Sequence, residues 1–414
     1  MDLPRGWWML QAVAAITALT SAVAAAEPAP SFAELLRRAE ASAPALAVSE
    51  AEVRAAQGRA DQAGARPNPT VSLEVEDFAG SGAYGGLSRS QTTLSFSQPL
   101  ELGGKRGART ATGRAQVNAA EARQRQSHAD FAYDLALAYA AAEGAQARAE
   151  LIDQDLQRAQ DDLRAARALV DAGREADVRA VQAQASVSAA RADLETTRAD
   201  VVEALGRLSA MVGAPSPYTA IGPSLLAQAK ALPPRPEPTS VTTPAVAAAA
   251  AERDAAAKQV RMERTKAVPD LTVSVGARRL AGDDATTVVG GLSAPLPLFD
   301  RNRGAVSAAA AELTAAEARL RAAQLDAEAD RRSGQFRAAA TAVALQAAEE
   351  GEASAGEAYR LARVGYDAGR SPLAELLSSR RALTEAQLRT LDAKSQRIRA
   401  EAALARLAGA SLGE

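Results

Sequence analysis

Two runs without proline, Gly107 to Val170 and Gly304 to Tyr366, constrain the fold more than any other feature of this chain. After the opening glycine of the first, only Gly113 and Gly144 interrupt good helix formers. About 64 residues can therefore continue as one helix of roughly 95 Å, at about 1.5 Å per residue. Helices in globular domains are usually several times shorter. Larger apolar residues such as Val117, Phe131, Leu135, Leu151, Leu156 and Leu163 are bridged by alanines, which let neighbouring helices approach closely. With only 3% aromatic residues, the composition suits packed long helices better than several thick cores.

The two runs belong to a repeat. Gln98-Pro99-Leu100-Glu101-Leu102-Gly103-Gly104-Lys105-Arg106-Gly107-Ala108 returns about 196 residues later as Ala294-Pro295-Leu296-Pro297-Leu298-Phe299-Asp300-Arg301-Asn302-Arg303-Gly304-Ala305, with one residue inserted. Pro67-Asn68-Pro69-Thr70-Val71-Ser72-Leu73 matches Pro269-Asp270-Leu271-Thr272-Val273-Ser274-Val275, and Asp171-Ala172-Gly173-Arg174 matches Asp367-Ala368-Gly369-Arg370. The chain is a tandem duplication.

Its organisation follows in order. Arg5, the apolar stretch from Trp7 to Val23 and Ala24-Ala25-Ala26 read as a signal peptide over 1–26. The first repeat spans 27–213, a proline-rich connector 214–243, and the second repeat 244–414. Ser31 and Glu34 form a capping-box pattern before Leu35 and Leu36. A short helix from about Pro44 to Ala65 stops at Pro67 and Pro69. Thr70 to Phe78 alternates Val71, Leu73 and Val75 with Thr70, Ser72, Glu74 and Glu76, and Thr92 to Gln98 carries Leu94 and Phe96 on its apolar side, which predicts a hairpin over about 70–98. The second repeat predicts a short helix from Pro244 to Lys266 and a hairpin over about 271–294. Each long helix, about 107–170 and 304–366, reverses at Asp-Ala-Gly-Arg, where glycine can close a helix in the left-handed conformation. The returning helices, about 176–211 and 373–407, are half as long, so a short incoming helix stacked on a returning one would match one long column.

Several functions are excluded. Gly80-Ser81-Gly82-Ala83-Tyr84-Gly85 fits a phosphate-loop pattern, but a strand and not a helix follows it. His128 is the only histidine and cysteine is absent, so no histidine-based zinc site, disulfide, thiolate metal site or lipid-modified cysteine can be built. No catalytic, cofactor or metal residues are assigned. The carboxylate pairs Asp161-Asp162, Asp283-Asp284 and Glu349-Glu350 read as solvated charges. The 48 basic and 50 acidic residues are intermingled, which argues against nucleic acid.

Two hairpins, each with one apolar face, cannot close a barrel alone, and open strand edges are not tolerated in hydrocarbon. Several subunits must share one barrel. Strands of about nine residues suit a tilted outer-membrane barrel, and both ends of each hairpin leave on one side, which places the long helices in the periplasm. Phe78, Tyr84, Phe96 and Phe299 flank the strands, at membrane interfaces or packed within the hairpins.

The duplicated plan, the Pro-Leu-Glu-Leu-Gly-Gly-Lys-Arg junction at Pro99 to Arg106 and the Asp-Ala-Gly-Arg turns resemble the TolC family of outer-membrane efflux channels over essentially the whole mature chain. Asn68-Pro69, the acidic strand end from Glu74 to Phe78 and Gln98 to Arg106 resemble its CzcC type, which serves cobalt, zinc and cadmium efflux. The resemblance implies a mainly α protein with a membrane β-barrel: a homotrimer forming a 12-stranded β-barrel continuous with a 12-column α-barrel, with an equatorial region at mid-height. It implies an exit duct in the outer membrane, with no enzyme activity, that meets outer-membrane lipid, a periplasmic adaptor and an inner-membrane pump of the RND type. The expected adaptor-docking tip is Asp171, Gly173, Arg174, Asp367, Gly369 and Arg370, and the expected pore acids are Glu74, Glu76 and Glu375, although the first repeat has Arg179 where the second has Glu375. A periplasmic coiled-coil scaffold or adaptor would explain the helices and leave the hairpins without a role. The same channel serving drugs or other small molecules would differ only in cargo.

Overall fold

The computed structural model describes residues 27–230 and 242–412. The expected signal peptide and the connector residues 231–241 lie outside the described residues. The chain runs α1 (Phe32–Ser42), α2 (Pro44–Gly64), β1 (Thr70–Glu76), β2 (Gln91–Leu100), α3 (Lys105–Asp171), α4 (Asp177–Met211), α5 (Pro244–Thr265), β3 (Leu271–Leu280), β4 (Ala285–Ser293), α6 (Arg303–Asp367) and α7 (Leu373–Ala408). Among the described residues no helix is long and apolar enough to cross a membrane.

The helices lie side by side as one sheet-like layer. On the strand side the order is α2, α3, α5, α6; on the far side it is α4, α3, α7, α6. Two long helices thus alternate with two stacked pairs. The stacks meet where returning helices end: Ser42 Oγ donates to the Val212 carbonyl at 3.1 Å, and Gly409 sits against Pro244. Gly213 and Gly409 close these ends at φ +67° and +71°, a conformation that strains other residues. Small residues set the spacing between columns. A Cβ on Gly113 of α3 would come 2.9 Å from Ala60 Cα of α2.

The largest core lies at mid-height, where Phe32, Leu35, Leu46, Leu135, Tyr139, Leu208 and Ile398 are buried. Phe32 and Tyr139 stack edge to face at 6.2 Å, and the Tyr139 hydroxyl lies 2.7 Å from the Pro223 carbonyl and 3.0 Å from that of Pro30. Burial pushes this phenol up to about 12. The described part of the connector, up to Lys230, packs on this core. Ile221, Leu225 and Leu226 are buried on the same core, and Glu143 of α3 accepts the backbone N–H groups of Leu225 and Leu226 at 2.8 and 3.0 Å. Ser31 caps α1 by accepting from Glu34 N–H, but Glu34 pairs with Arg37 and Arg38 and does not complete a capping box.

The strands form one antiparallel sheet in the order β1-β2-β3-β4, so the two hairpins pair through β2 and β3. β1 ends two residues earlier than the alternation predicts, because Asp77 turns at φ +53°. β2 runs on to Leu100 through Pro99, in a stretch that β1 does not reach and where a missing N–H costs no second ladder. β4 begins at Ala285, three residues before the first valine of its weak alternation. One face carries Val71, Leu73, Val75, Leu94, Phe96, Val273, Val275, Val288 and Leu292; the other carries Ser72, Glu74, Glu76, Ser95, Thr93, Ser274, Arg278 and Thr287. Val71, Leu73, Phe96, Val275, Val288 and Leu292 are exposed, and among the described residues neither β1 nor β4 has a second neighbour.

Candidate functional site

Two places gather the expected functional residues: the helical reversals far from the sheet, and the polar sheet face.

Each reversal is built the same way. Gly173 N–H bonds to the Val170 carbonyl and Arg174 N–H to that of Leu169, at 2.8 and 2.9 Å; Gly369 and Arg370 repeat this on Tyr366 and Gly365, both at 2.8 Å. This double bond closes a helix only around a left-handed residue, and both glycines sit at φ +68°. Asp171, Arg174, Asp367 and Arg370 are exposed around these turns. The two turns touch, because the Arg174 guanidinium lies against Gly369. Asp367 accepts from Arg363 Nε at 3.1 Å. Glu375 is exposed in the first turn of α7, and its counterpart Arg179 lies near Glu175 at 3.6 Å.

Behind the turns, Leu163, Ala166, Ala183, Ala362, Tyr366, Leu373, Leu376 and Leu377 bury the contact of α3, α4, α6 and α7. An ionic cluster sits within this packing, and it corrects the reading of Asp161-Asp162 as solvated. Asp161 is half-buried and paired with Arg164, whereas Asp162 is 0% exposed. Asp162 accepts from Arg363 Nη1 at 2.8 Å and lies 3.7 Å from Arg380 Nε, itself buried; Arg380 also lies 3.8 Å from Asp155, which accepts from Thr384 Oγ1 at 2.7 Å. Burial pushes the Asp162 carboxyl above the usual range, against the pull of Arg380 and Arg363. Asp162 Oδ2, Arg380 Nε and Nη1, and Tyr366 OH have no hydrogen-bond partner among the described residues. A signal for this burial existed. Asp162 lies three residues after Ala159 and four before Ala166, both on the buried stripe of α3.

On the polar sheet face, Glu74 and Glu76 do not stand alike. Arg278 reaches Glu76 at 3.4 Å while donating to Thr93 Oγ1 at 2.9 Å and Gln91 Oε1 at 3.3 Å. Glu74 makes no ion pair among the described residues. Gln91 Nε2 also donates to Asp77 at 3.0 Å, which ties the acidic end of β1 to its neighbour. The structure does not bring Glu74 and Glu76 near Glu375, since the whole length of the long helices lies between them. The other carboxylate pairs are also engaged: Asp284 pairs with Arg279, and Glu349 with Lys230. Among the described residues no group of three histidines, aspartates or glutamates could hold a metal ion. His128 is half-buried in a mid-height depression beside Glu40 and Arg125.

The arrangement is shared with known proteins. The family model for the outer membrane efflux protein matches residues 35–214 and 240–410. The nickel-cobalt-cadmium resistance protein NccC of Alcaligenes xylosoxydans xylosoxydans is 45% identical over 397 residues, 96% of this chain and 90% of that protein. The nickel and cobalt resistance protein CnrC of Cupriavidus metallidurans is 46% identical over 319 residues, 77% of this chain and 76% of that one. The crystal structure of the outer membrane protein VceC from Vibrio cholerae superposes with a TM-score of 0.75 at 21% identity, covering 92% of this chain and 96% of that one. With both halves of the duplication matched and the fold shared, this chain belongs to the outer membrane efflux protein family, as an outer-membrane protein with a periplasmic helical extension.

Proposed function

We propose that the protein is the exit duct of a tripartite efflux pump, assembled as a homotrimer, and that its cargo is divalent heavy-metal cations. The observation that carries the assembly is the pair of open edges. β1 and β4 each lack a neighbour, and the helical layer ends on one side in α2 and α4 and on the other in α6, which exposes Leu325, Phe336, Val343, Leu361 and Val364. An open sheet edge is untenable in hydrocarbon, and closing the sheet on further copies satisfies it. Three copies give 12 strands and 12 helical columns, counting each stacked pair as one column. The apolar sheet face then meets lipid and the polar face, with Glu74, Glu76 and Arg278, lines the lumen.

The cargo reading is supported by relatives named for nickel, cobalt and cadmium resistance. In this reading the turns at Asp171 to Arg174 and Asp367 to Arg370 meet a periplasmic adaptor, which links the duct to an inner-membrane pump of the RND type, and Glu375 faces the pore. Residues 1–26 act as the signal peptide and 214–243 as the equatorial connector between the repeats, 27–213 and 244–414. Native mass in mild detergent tests the assembly. A trimer that dissociates on heating is expected, and a monomer that stays soluble without detergent would overturn it.

A further inference from the structure

The duplication extends to strand register. Val71 matches Val273 and Leu73 matches Val275, while Pro99 matches Pro295, so that Leu94 corresponds to Gly290. The ladders obey the same correspondence: Leu73 pairs with Leu94, and Val275 pairs with Gly290. The two hairpins therefore share one register, and the join between them, β2 to β3, is the one join between hairpins among the described residues. Along that join Phe96 faces Val275 and Ser97 faces Ser274.

The turn after β2 is also seated at this join. Leu102 N–H donates to Asp270 Oδ1 at 3.1 Å, Lys105 Nζ pairs with the same oxygen at 2.8 Å, and Gly103 lies so close to Val268 that a Cβ would stand 2.7 Å from the valine Cβ. The second copy of this turn is tied to its own repeat, where Asn302 Nδ2 donates to the Glu263 carbonyl at 2.8 Å, but among the described residues Leu298 and Phe299 have no seat like that of Leu102 and Gly103. Leu298 is 66% and Phe299 98% exposed, and the seat that would match Val268 and Asp270, formed by Arg66 and Asn68, is exposed at the other edge of the same chain.

We infer that the β4 turn of one copy seats on the α2–β1 junction of the next, in the register that β2 and β3 use within the chain. The inference rests on the closed ring proposed above. Carrying the internal join across copies places Leu292 opposite Leu73 and Ser293 opposite Ser72 of the next copy. It lays Phe299 over Arg66 and puts Leu298, whose N–H donates within the chain to the Leu296 carbonyl at 2.8 Å, beside Asn68. Where the internal joint packs a glycine under a valine, the joint between copies packs an aromatic ring under a guanidinium, a pairing favoured by the ring's negative face.

Cysteine pairs test the register on a chain that has none of its own. Oxidation in outer membranes should convert Ser72→Cys with Ser293→Cys, or Leu73→Cys with Leu292→Cys, into reducible dimers and closed trimers on denaturing gels. Adjacent pairs alternate between wide and narrow Cα spacing, so one of the two has the favourable geometry. Ser72→Cys with Ser95→Cys, whose hydroxyls lie 2.7 Å apart within the chain, should cross-link at monomer mass. Leu73→Cys with Gly290→Cys, displaced by two residues and about 7 Å, should give at least severalfold less intermolecular product. A displaced pair that links as well as the aligned ones, or no product from either aligned pair in a protein of trimeric mass, overturns the register and leaves the ring standing. Monomeric mass with no intermolecular product overturns the ring as well. For the seat, Arg66→Ala and Phe299→Ala should each lower the trimer's dissociation temperature and together lower it no further; additive losses would overturn the contact.

Discussion

The guanidinium of Arg174 lies on Gly369, so close that a Cβ built there would stand 2.5 Å from Nη2. The two helix reversals of the duplicated chain are thus one unit, with the side chain of the first turn resting on the backbone of the second. The matching glycine of the first turn, Gly173, has open space around it. Alanine at either position meets the same left-handed strain, roughly 1 kcal/mol, but only Gly369→Ala also displaces Arg174. Hydrogen exchange at the reversals should quicken in both variants, and more in Gly369→Ala. Equal effects would show that the Arg174 contact adds nothing.

Reversing charge at the tip separates a docking surface from a helix stop. Arg174→Glu with Arg370→Glu leaves both glycines and their backbone hydrogen bonds in place, so native mass should remain trimeric. Cross-linking to the adaptor and efflux should both be lost. Efflux at the normal level in this double variant would show that the arginines are not where the adaptor docks.

Asp162 makes the tip sensitive to pH in a defined direction. Its carboxyl titrates above the usual range because it is buried, so the folded state holds a proton that the unfolded state has already released. Stability contributed at this site is therefore largest at acid pH and falls as pH rises through the shifted value. The ratio of hydrogen-exchange rates between wild type and Asp162→Asn, taken at each pH, should change over that interval, since the variant cannot ionise. Asp162→Ala should be the more damaging change, by about 3 kcal/mol, because it empties a buried site and leaves Arg380 with Asp155 alone, at 3.8 Å. A ratio independent of pH would place the titration elsewhere.

Charge on the polar sheet face is set by Arg278 as much as by the acids. Arg278→Ala removes the cation that lies 3.4 Å from Glu76, so channels in planar bilayers should become more cation-selective. Glu74→Gln should shift the reversal potential the other way. Identical reversal potentials in all three proteins would mean that this face does not meet the permeating ions.

The helices could be read from the sequence because they depend on local facts: no proline from Gly107 to Val170, and a glycine where each long run must reverse. The strands could be read because one face is apolar at every second residue. What the pattern could not supply was non-local. The pairing of β2 with β3 joins segments separated by most of a repeat, and nothing within either strand specifies it. Prolines after Gly213 mark a connector without regular structure, and do not show that Ile221, Leu225 and Leu226 fill the mid-height core, anchored by Glu143 on a helix distant in sequence. Asp162 was misread for the opposite reason. Adjacent acids on a helix usually face water, and the alanine stripe that carries Asp162 inward is too weakly apolar to announce a core. Pairing of Glu76 with Arg278 likewise became visible only once β1, β2 and β3 lay side by side.

The most direct test of the account is metal tolerance in a strain from which this gene is deleted, scored against nickel, cobalt, cadmium and zinc beside dyes and detergents. Loss of the duct should sensitise cells to the divalent metals and raise the metal they retain. The wild-type gene should restore tolerance, and the Arg174→Glu, Arg370→Glu variant should not. Unchanged tolerance to all four metals, with new sensitivity to dyes or detergents, would contradict the assignment of a metal-exporting duct.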